Sequence, residues 1–226
     1  MTREDMTPGA YDALIDAIGE LLLKQGLKAT TMDSIASALQ ISKRTLYEIF
    51  NSKNEMVLCA LEASHKKHTA NLKEIFNSSA NIMEGILRGF LYHRDEMSKA
   101  NVDFFRDMDS LFSDAKKHSS DHKKIFLKNY VRVLQQGADE GYFRKDVNFM
   151  LQCRLLWIQM ESLKRMEEFF PPDITLLEAY DSICISFLRA ISTPLGMLML
   201  DNVVASLNQQ TSQTDKQNKQ TANNIK

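Results

Sequence analysis

The chain has 226 residues, of which 44 % are hydrophobic and 25 % charged, a globular balance that excludes a wholly disordered protein. Lys+Arg number 28 against 29 Asp+Glu, and a net charge of −1 excludes a polybasic mode of nucleic-acid binding while leaving room for a small local basic site. The three cysteines, Cys59, Cys153 and Cys184, are far apart and never in a Cys-x-x-Cys pair, so neither a disulfide framework nor a zinc cluster is expected.

Eight Gly and four Pro leave few interruptions, and the chain reads as all-α. Leu14, Ile15, Ile18, Leu21 and Leu22 recur at helical spacing and predict a helix over 8–25, with Pro8 in its first turn and Gly26 just past its end. Thr31 is placed to cap a short helix over 32–39, and Ser42 another over 43–50. Ser52-Lys53-Asn54-Glu55 has the capping-box pattern and opens a longer helix over 53–76. The two short helices, joined by a three- or four-residue turn, make a helix-turn-helix, whose second helix can enter a DNA major groove.

Further helices are predicted over 80–97, 100–112, 116–140, 147–169 and 173–207, about nine in all. Gly137 and Gly141 flank a helix end, with Phe143 folding back on it. Leu151, Leu155, Trp157, Ile158, Met160, Leu163 and Met166 make the 147–169 segment apolar nearly all round, so a second copy of the chain could cover one side. Leu176, Tyr180, Ile183, Phe187 and Ile191 form a stripe on the last helix, and Phe187 is expected in a helix–helix interface between subunits. Residues 208–226 include nine Asn or Gln and read as a disordered polar tail. No run approaches about 18 apolar residues, and the start lacks an apolar segment behind its charges, so no membrane span or secretory signal is expected and the cytoplasm is the expected compartment.

Over residues 14–62 the order of features becomes specific. Leu14-Ile15-Asp16-Ala17, Gly26, Ala29-Thr30-Thr31-Met32-Asp33-Ser34-Ile35-Ala36, Ile41-Ser42-Lys43-Arg44-Thr45-Leu46-Tyr47 and Phe50-Asn51-Ser52-Lys53-Asn54-Glu55 together closely resemble the DNA-binding domain of the tetracycline-repressor (TetR) family. The resemblance implies a DNA-binding domain over 1–52, a helical effector-binding and dimerisation domain over 53–207, and homodimerisation through the last two long helices. Glu140-Gly141-Tyr142-Phe143-Arg144-Lys145-Asp146 resembles a junction that precedes the dimerisation helices. The chain departs from the family at Glu48-Ile49, where an aromatic residue or His is common, and no DNA contact is carried onto either.

The implied DNA site is Thr31, Ser42, Lys43, Arg44, Thr45, Tyr47 and Lys53. Arg44 suits bidentate contact to guanine, Thr45 a thymine methyl or phosphate, Tyr47 and Thr31 phosphate oxygens, and Lys53 a phosphate clamp. Residues 1–50 hold five Lys/Arg against seven Asp/Glu, a net of −2, so binding should depend on two half-sites read by a dimer, with recognition helices about 34 Å apart.

The resemblance places Phe104, Phe105, Met108, Tyr130, Leu134, Trp157 and Met160 on helices around an effector pocket, with His93 and Arg154 able to orient a polar group of the small-molecule effector. His65 with His68, and His118 with His122, have helical ligand spacing, but two His without further ligands do not close a metal site, so neither metal nor cofactor is expected. No phosphate-binding Gly loop, G-x-S-x-G or His-Glu-x-x-His motif points to catalysis. The expected function is a homodimeric, ligand-responsive repressor on an inverted-repeat operator. The alternative is a helical homodimeric interaction module that has lost sequence-specific DNA reading.

Overall fold

Thr7 opens the first helix, α1 (Pro8–Gln25), by accepting the Ala10 N–H at 3.3 Å, with Pro8 where no intrahelical N–H is needed. The computed structural model describes residues 5–111 and 115–207; the side chains of 102, 108–111 and 115–126 lie outside that description. Gly26 ends α1 at φ +84, in the region where a side chain is strained. Thr31 and Ser34 cap α2 (Met32–Ala38) reciprocally, and Ser42 caps α3 (Lys43–Ile49). Between them Gln40 takes φ +55 and turns the chain. Ser52 caps α4 (Lys53–Asn77), while Glu55 bonds the Asn51 N–H at 2.8 Å.

α5 (Ile82–Ser98), α6 (Val102–Leu111) and α7 (Ala115–Asp139) follow. Gly137 lies just before the end of α7 and Gly141 just after it, and the bare Cα of Gly137 admits the Phe143 ring. Phe143 is buried, and Gly141 takes the positive φ of the turn. Asn148 caps α8 (Phe149–Ser162).

Two of the expected long helices are broken. The 147–169 segment is α8, a single 3-10 turn (Leu163–Arg165) that seats Leu163 in the core, and α9 (Met166–Phe169). The 173–207 segment is α10 (Leu176–Ile191) and a separate helix over 194–207, α11. Pro194 accounts for the second break: it has no N–H to continue α10, disfavours helical backbone before it, and begins α11. The extended Ser192 pairs with Phe143 instead, the Arg144 N–H bonds the Ile191 carbonyl at 2.9 Å, and the Thr193 N–H bonds the Tyr142 carbonyl at 2.9 Å.

The first core joins α1, α2 and α3 and does not stop at residue 52. Met56, Val57 and Ala60 of α4 and Phe104 of α6 are buried within it beside Ile18, Leu22 and Leu46. A second core packs α5 and α7 against α8, α10 and α11, and a third gathers Phe90, Leu163, Tyr180 and Ile183. Phe187 lies inside the second core, its ring centroid 6.2 Å from that of Tyr130, and is 6 % exposed. The expectation that Phe187 faces a second subunit is therefore corrected: helical spacing marks the stripe as apolar, and the chain's own α7 covers it. The outward apolar faces lie elsewhere. Leu151, Leu155 and Ile158 on α8 are 51, 45 and 64 % exposed, as are Leu195 (50 %) and Leu198 (64 %) on α11. Residues 208–226, expected as a tail, lie outside the described residues.

Candidate nucleic-acid interface and neighbouring cavity

α3 is a seven-residue helix with one buried face, Leu46 and Ile49, so its other positions are presented outward. Ile49 is thereby committed to the core. At the helix start, Ser42 Oγ accepts the Thr45 N–H at 3.0 Å and shares a hydrogen bond of 2.8 Å with Thr45 Oγ1. Lys43 reaches back to α2, with Nζ 2.7 Å from Asp33 Oδ1, and stands 6.0 Å from the Tyr47 ring centre. The Asp33 carboxylate raises the Lys43 pKa above its ordinary value, so the ammonium charge is retained. The Arg44 side chain is 89 % exposed and donates from Nε to Glu48 Oε1 at 2.9 Å, which holds the Glu48 carboxyl below its usual range. Tyr47 is 47 % exposed, a high value for an aromatic side chain.

Thr31 caps α2, its hydroxyl accepting the Ser34 N–H at 3.0 Å and keeping its own proton to donate. Lys53 Nζ donates to the Lys28 carbonyl at 3.4 Å. The structure thus gathers Ser42, Lys43, Arg44, Thr45 and Tyr47 on the outer side of one short helix, and places Thr31 and Lys53 at the starts of the helices flanking it.

This head is tied to the remainder of the chain through α6. The buried Asp107 accepts the Lys28 backbone N–H at 2.7 Å and lies 3.5 Å from Lys28 Nζ. The Asn101 N–H donates to the Leu23 carbonyl at 2.9 Å. Thr30 Oγ1 donates to the Gly26 carbonyl at 2.6 Å and stiffens the loop that Asp107 holds.

Beside these ties α1, α4, α5 and α6 line a cavity of about 860 Å³ that is open to solvent on one side. Exposed Asp16, Glu20, Lys24 and Lys67 stand on its α1 and α4 sides, where Lys67 pairs with Asp16 at 2.8 Å. Its inner wall is Leu22, Leu61, Met97, Phe104 and Phe105, with a polar group of His68, Asn71, Tyr92 and His93. The His68 ring lies 5.1 Å from Tyr92 and 4.4 Å from His93, centre to centre. Burial lowers the His93 pKa to about 4, with His68 adding to the shift. Burial lowers His68 too, against the opposing pull of Glu96.

Of the residues expected around a pocket, Phe104 and Phe105 line this cavity, as does His93. Leu134 is buried in the second core with Tyr130 and Trp157 packed against it, Met160 packs on the third, and the Met108 side chain lies outside the described set. Arg154 is exposed. His68 and Tyr92 were not expected here; α4 and α5 bring them together from 24 residues apart, and only the i, i+3 spacing of His65 and His68 marked the α4 side. Among the described residues no group of three or more His, Cys, Asp or Glu is arranged to hold a metal ion, and no helix is long and apolar enough to cross a membrane.

Residues 14–59 match the family described as bacterial regulatory proteins, tetR family. The HTH-type transcriptional repressor KstR2 of Mycobacterium tuberculosis is 31 % identical over 147 residues, covering 63 % of this chain and 74 % of the relative. The structure of the ketosteroid transcriptional regulator KstR2 of Mycobacterium tuberculosis is similar with a TM-score of 0.54 and 25 % identity, over 83 % of this chain and 97 % of that one. A transcriptional regulator from Cytophaga hutchinsonii shares the fold with a TM-score of 0.63 at 19 % identity, over 82 % and 100 % of the two chains.

Proposed function

The chain belongs to the tetracycline-repressor (TetR) family of DNA-binding regulators, and from that premise we propose that it represses transcription as a homodimer on an inverted-repeat operator, released by a small-molecule effector. The observation that carries the proposal is α3 itself. Its exposed ridge of Lys43, Arg44 and Tyr47 is the side-chain set for phosphate and base contact, on a helix with its opposite face fixed in the core. Arg44 reads a guanine edge, Thr45 and Tyr47 complete the base and phosphate contacts, and Ser42, Lys43, Thr31 and Lys53 set the register on the backbone. Residues 1–52 serve as the DNA-binding domain, with the first turns of α4 as their floor, and 53–207 as the effector-binding and dimerisation domain.

The second subunit covers the outward apolar faces of α8 and α11. Five side chains of 45–64 % exposure in two helices resemble a core cut in half, which a homodimer interface completes. The geometry of α6 supports a route for release. Phe104 lines the cavity and Asp107, one turn on, holds Lys28, so a ligand that displaces α6 reorients the head. Such a ligand must bind the displaced form more tightly than the DNA-bound one; a coupling of about 1–3 kcal/mol changes operator affinity about 5- to 150-fold.

The test is selection from a randomised DNA pool at low and moderate salt, with the unmodified protein and Tyr47→Ala in parallel. Recovery of an inverted repeat that Tyr47→Ala fails to enrich is the expected result. Failure to enrich any sequence at either salt supports the alternative, a homodimeric interaction module, for which the acid partners of Lys43 and Arg44 are the favouring observation.

A further inference from the structure

We propose that the cavity between α1, α4, α5 and α6 binds an uncharged amphipathic molecule whose hydroxyl group bonds the imidazoles of His68 and His93 and whose apolar body lies against Phe104, Phe105 and Met97. The inference deepens the ligand-responsive reading and depends on it only for the link to DNA.

The size suits this class: about 860 Å³ falls within the roughly 300–1,000 Å³ of sites for small organic ligands. Its uncharged polar groups include His68, Asn71, Tyr92 and His93. Asn71 Nδ2 already donates to the Tyr92 hydroxyl at 3.0 Å, so those two groups are partly satisfied. His68 and His93 make ring contacts, yet no hydrogen bond among the described residues ends on their ring nitrogens. Their nitrogens are not among the sealed, partnerless polar atoms either, so they border open space. A neutral imidazole offers one donor and one acceptor, and a hydroxyl offers the same pair. One hydroxyl at the edge the two contacting rings share can donate to one and accept from the other.

The choice between a neutral and an anionic ligand is decided by the cost of charging the pair. With His93 at about 4, forming its imidazolium at pH 7 carries a penalty of about a thousandfold before any ion pair is made. Of the three lysines at the wall, Lys67 is engaged by Asp16, Lys99 by Asp95 and Glu96 at 2.7 and 2.9 Å, and Lys24 is exposed to solvent on the α1 side, one turn from Glu20. A carboxylate would also meet Glu20 and Glu96 at the wall. A neutral hydroxyl incurs none of these penalties.

The experiment uses the full chain without DNA and three probes of matched body: 4-hexylphenol, hexylbenzene and 4-hexylbenzoate, titrated calorimetrically at pH 7.5. The expected order is 4-hexylphenol tightest, by about tenfold or more over each of the others, the weight of one to two net hydrogen bonds. His93→Phe and His68→Phe, which keep a ring in place, each lose part of the preference for 4-hexylphenol, the double variant binds it no better than hexylbenzene, and hexylbenzene itself is unchanged. Imidazole nitrogen chemical shifts of the unmodified protein give the same reading without a variant: both rings shift with 4-hexylphenol and stay put with hexylbenzene. Equal affinities for the phenol and hexylbenzene, tighter binding of the benzoate, or no binding of 4-hexylphenol up to its solubility limit overturns the proposal. Binding that leaves the protein on its selected DNA upholds the site and counts against the ligand-responsive reading alone.

Discussion

Arg44 and Glu48 face each other across one turn of α3, with Nε 2.9 Å from Oε1. The guanidinium proposed for base contact is thus held by a carboxylate on the helix surface proposed to face DNA. The pair is solvent-exposed and worth little to folding, so its effect is on recognition: DNA must take Arg44 from Glu48, and the residual negative charge opposes the approach. Glu48→Gln should tighten binding to the selected DNA several-fold at low salt. Arg44→Ala should weaken it by about 1–3 kcal/mol and relax the preference at one base position. Fluorescence anisotropy titrations across a salt series check both, and weaker binding by Glu48→Gln would overturn the account of that carboxylate.

The proposed subunit contact is tested by where a charge is tolerated. Leu155→Asp and Ile158→Asp sit on the outward side of α8 and should leave a folded monomer whose light-scattering mass is that of one chain. Phe187→Asp puts the same charge into the second core beside Tyr130 and should unfold the protein instead. A dimer that survives both α8 substitutions would remove that helix from the interface.

Gly196 lies where α11 meets the turn after α7. A Cβ there would stand 2.3 Å from the Tyr142 carbonyl oxygen, which the Thr193 N–H also bonds. Backbone cannot yield as a side chain can, so Gly196→Ala should cost about 2–3 kcal/mol and lower Tm by about 5–10 °C. A Tm within 1 °C or so of the parent would contradict this packing.

Much of this arrangement is legible in the sequence because it is local. The caps Thr31, Ser42 and Ser52, the turn glycine Gly141 and the packing of Phe143 on Gly137 depend on residues a few positions apart. Pro194 was equally local and marks the break between α10 and α11. What the sequence does not carry is which surface covers a given apolar stripe. Phe187 and Ile158 have the same hydropathic signature, and only the packing of α7 over one of them separates core from outer face. The His68–His93 contact is of the same kind: each is an ordinary helical His until α4 and α5 are laid side by side.

The neutral His93 also links stability to acidity. Its folded pKa of about 4 lies below the unfolded value near 6.5, so the unfolded chain binds the extra proton between those limits. The stabilisation is complete above pH 6.5 and is lost as the pH falls towards 4, by up to about 3 kcal/mol. His68 and Tyr92 face the ring, and Glu96, near His68, acts in the opposite direction on that neighbour. Urea unfolding of the parent and His93→Phe at pH 4.5, 5.5 and 7.5 should show the parent losing stability relative to the variant as the pH falls. A constant gap across the series would show that His93 does not titrate with folding.

The burial of Phe104 among the residues of the first three helices has a consequence for anyone who would exchange DNA heads between regulators of this fold. A graft cut at residue 52 would carry α3 but leave behind Met56, Val57 and Ala60, which close its floor, and the phenyl ring that α6 lends from further along the chain. The transplanted head would inherit a hole whose shape is specified by its former host. Portability here is a property of a surface contributed by two distant stretches of chain, and a working chimera must bring both.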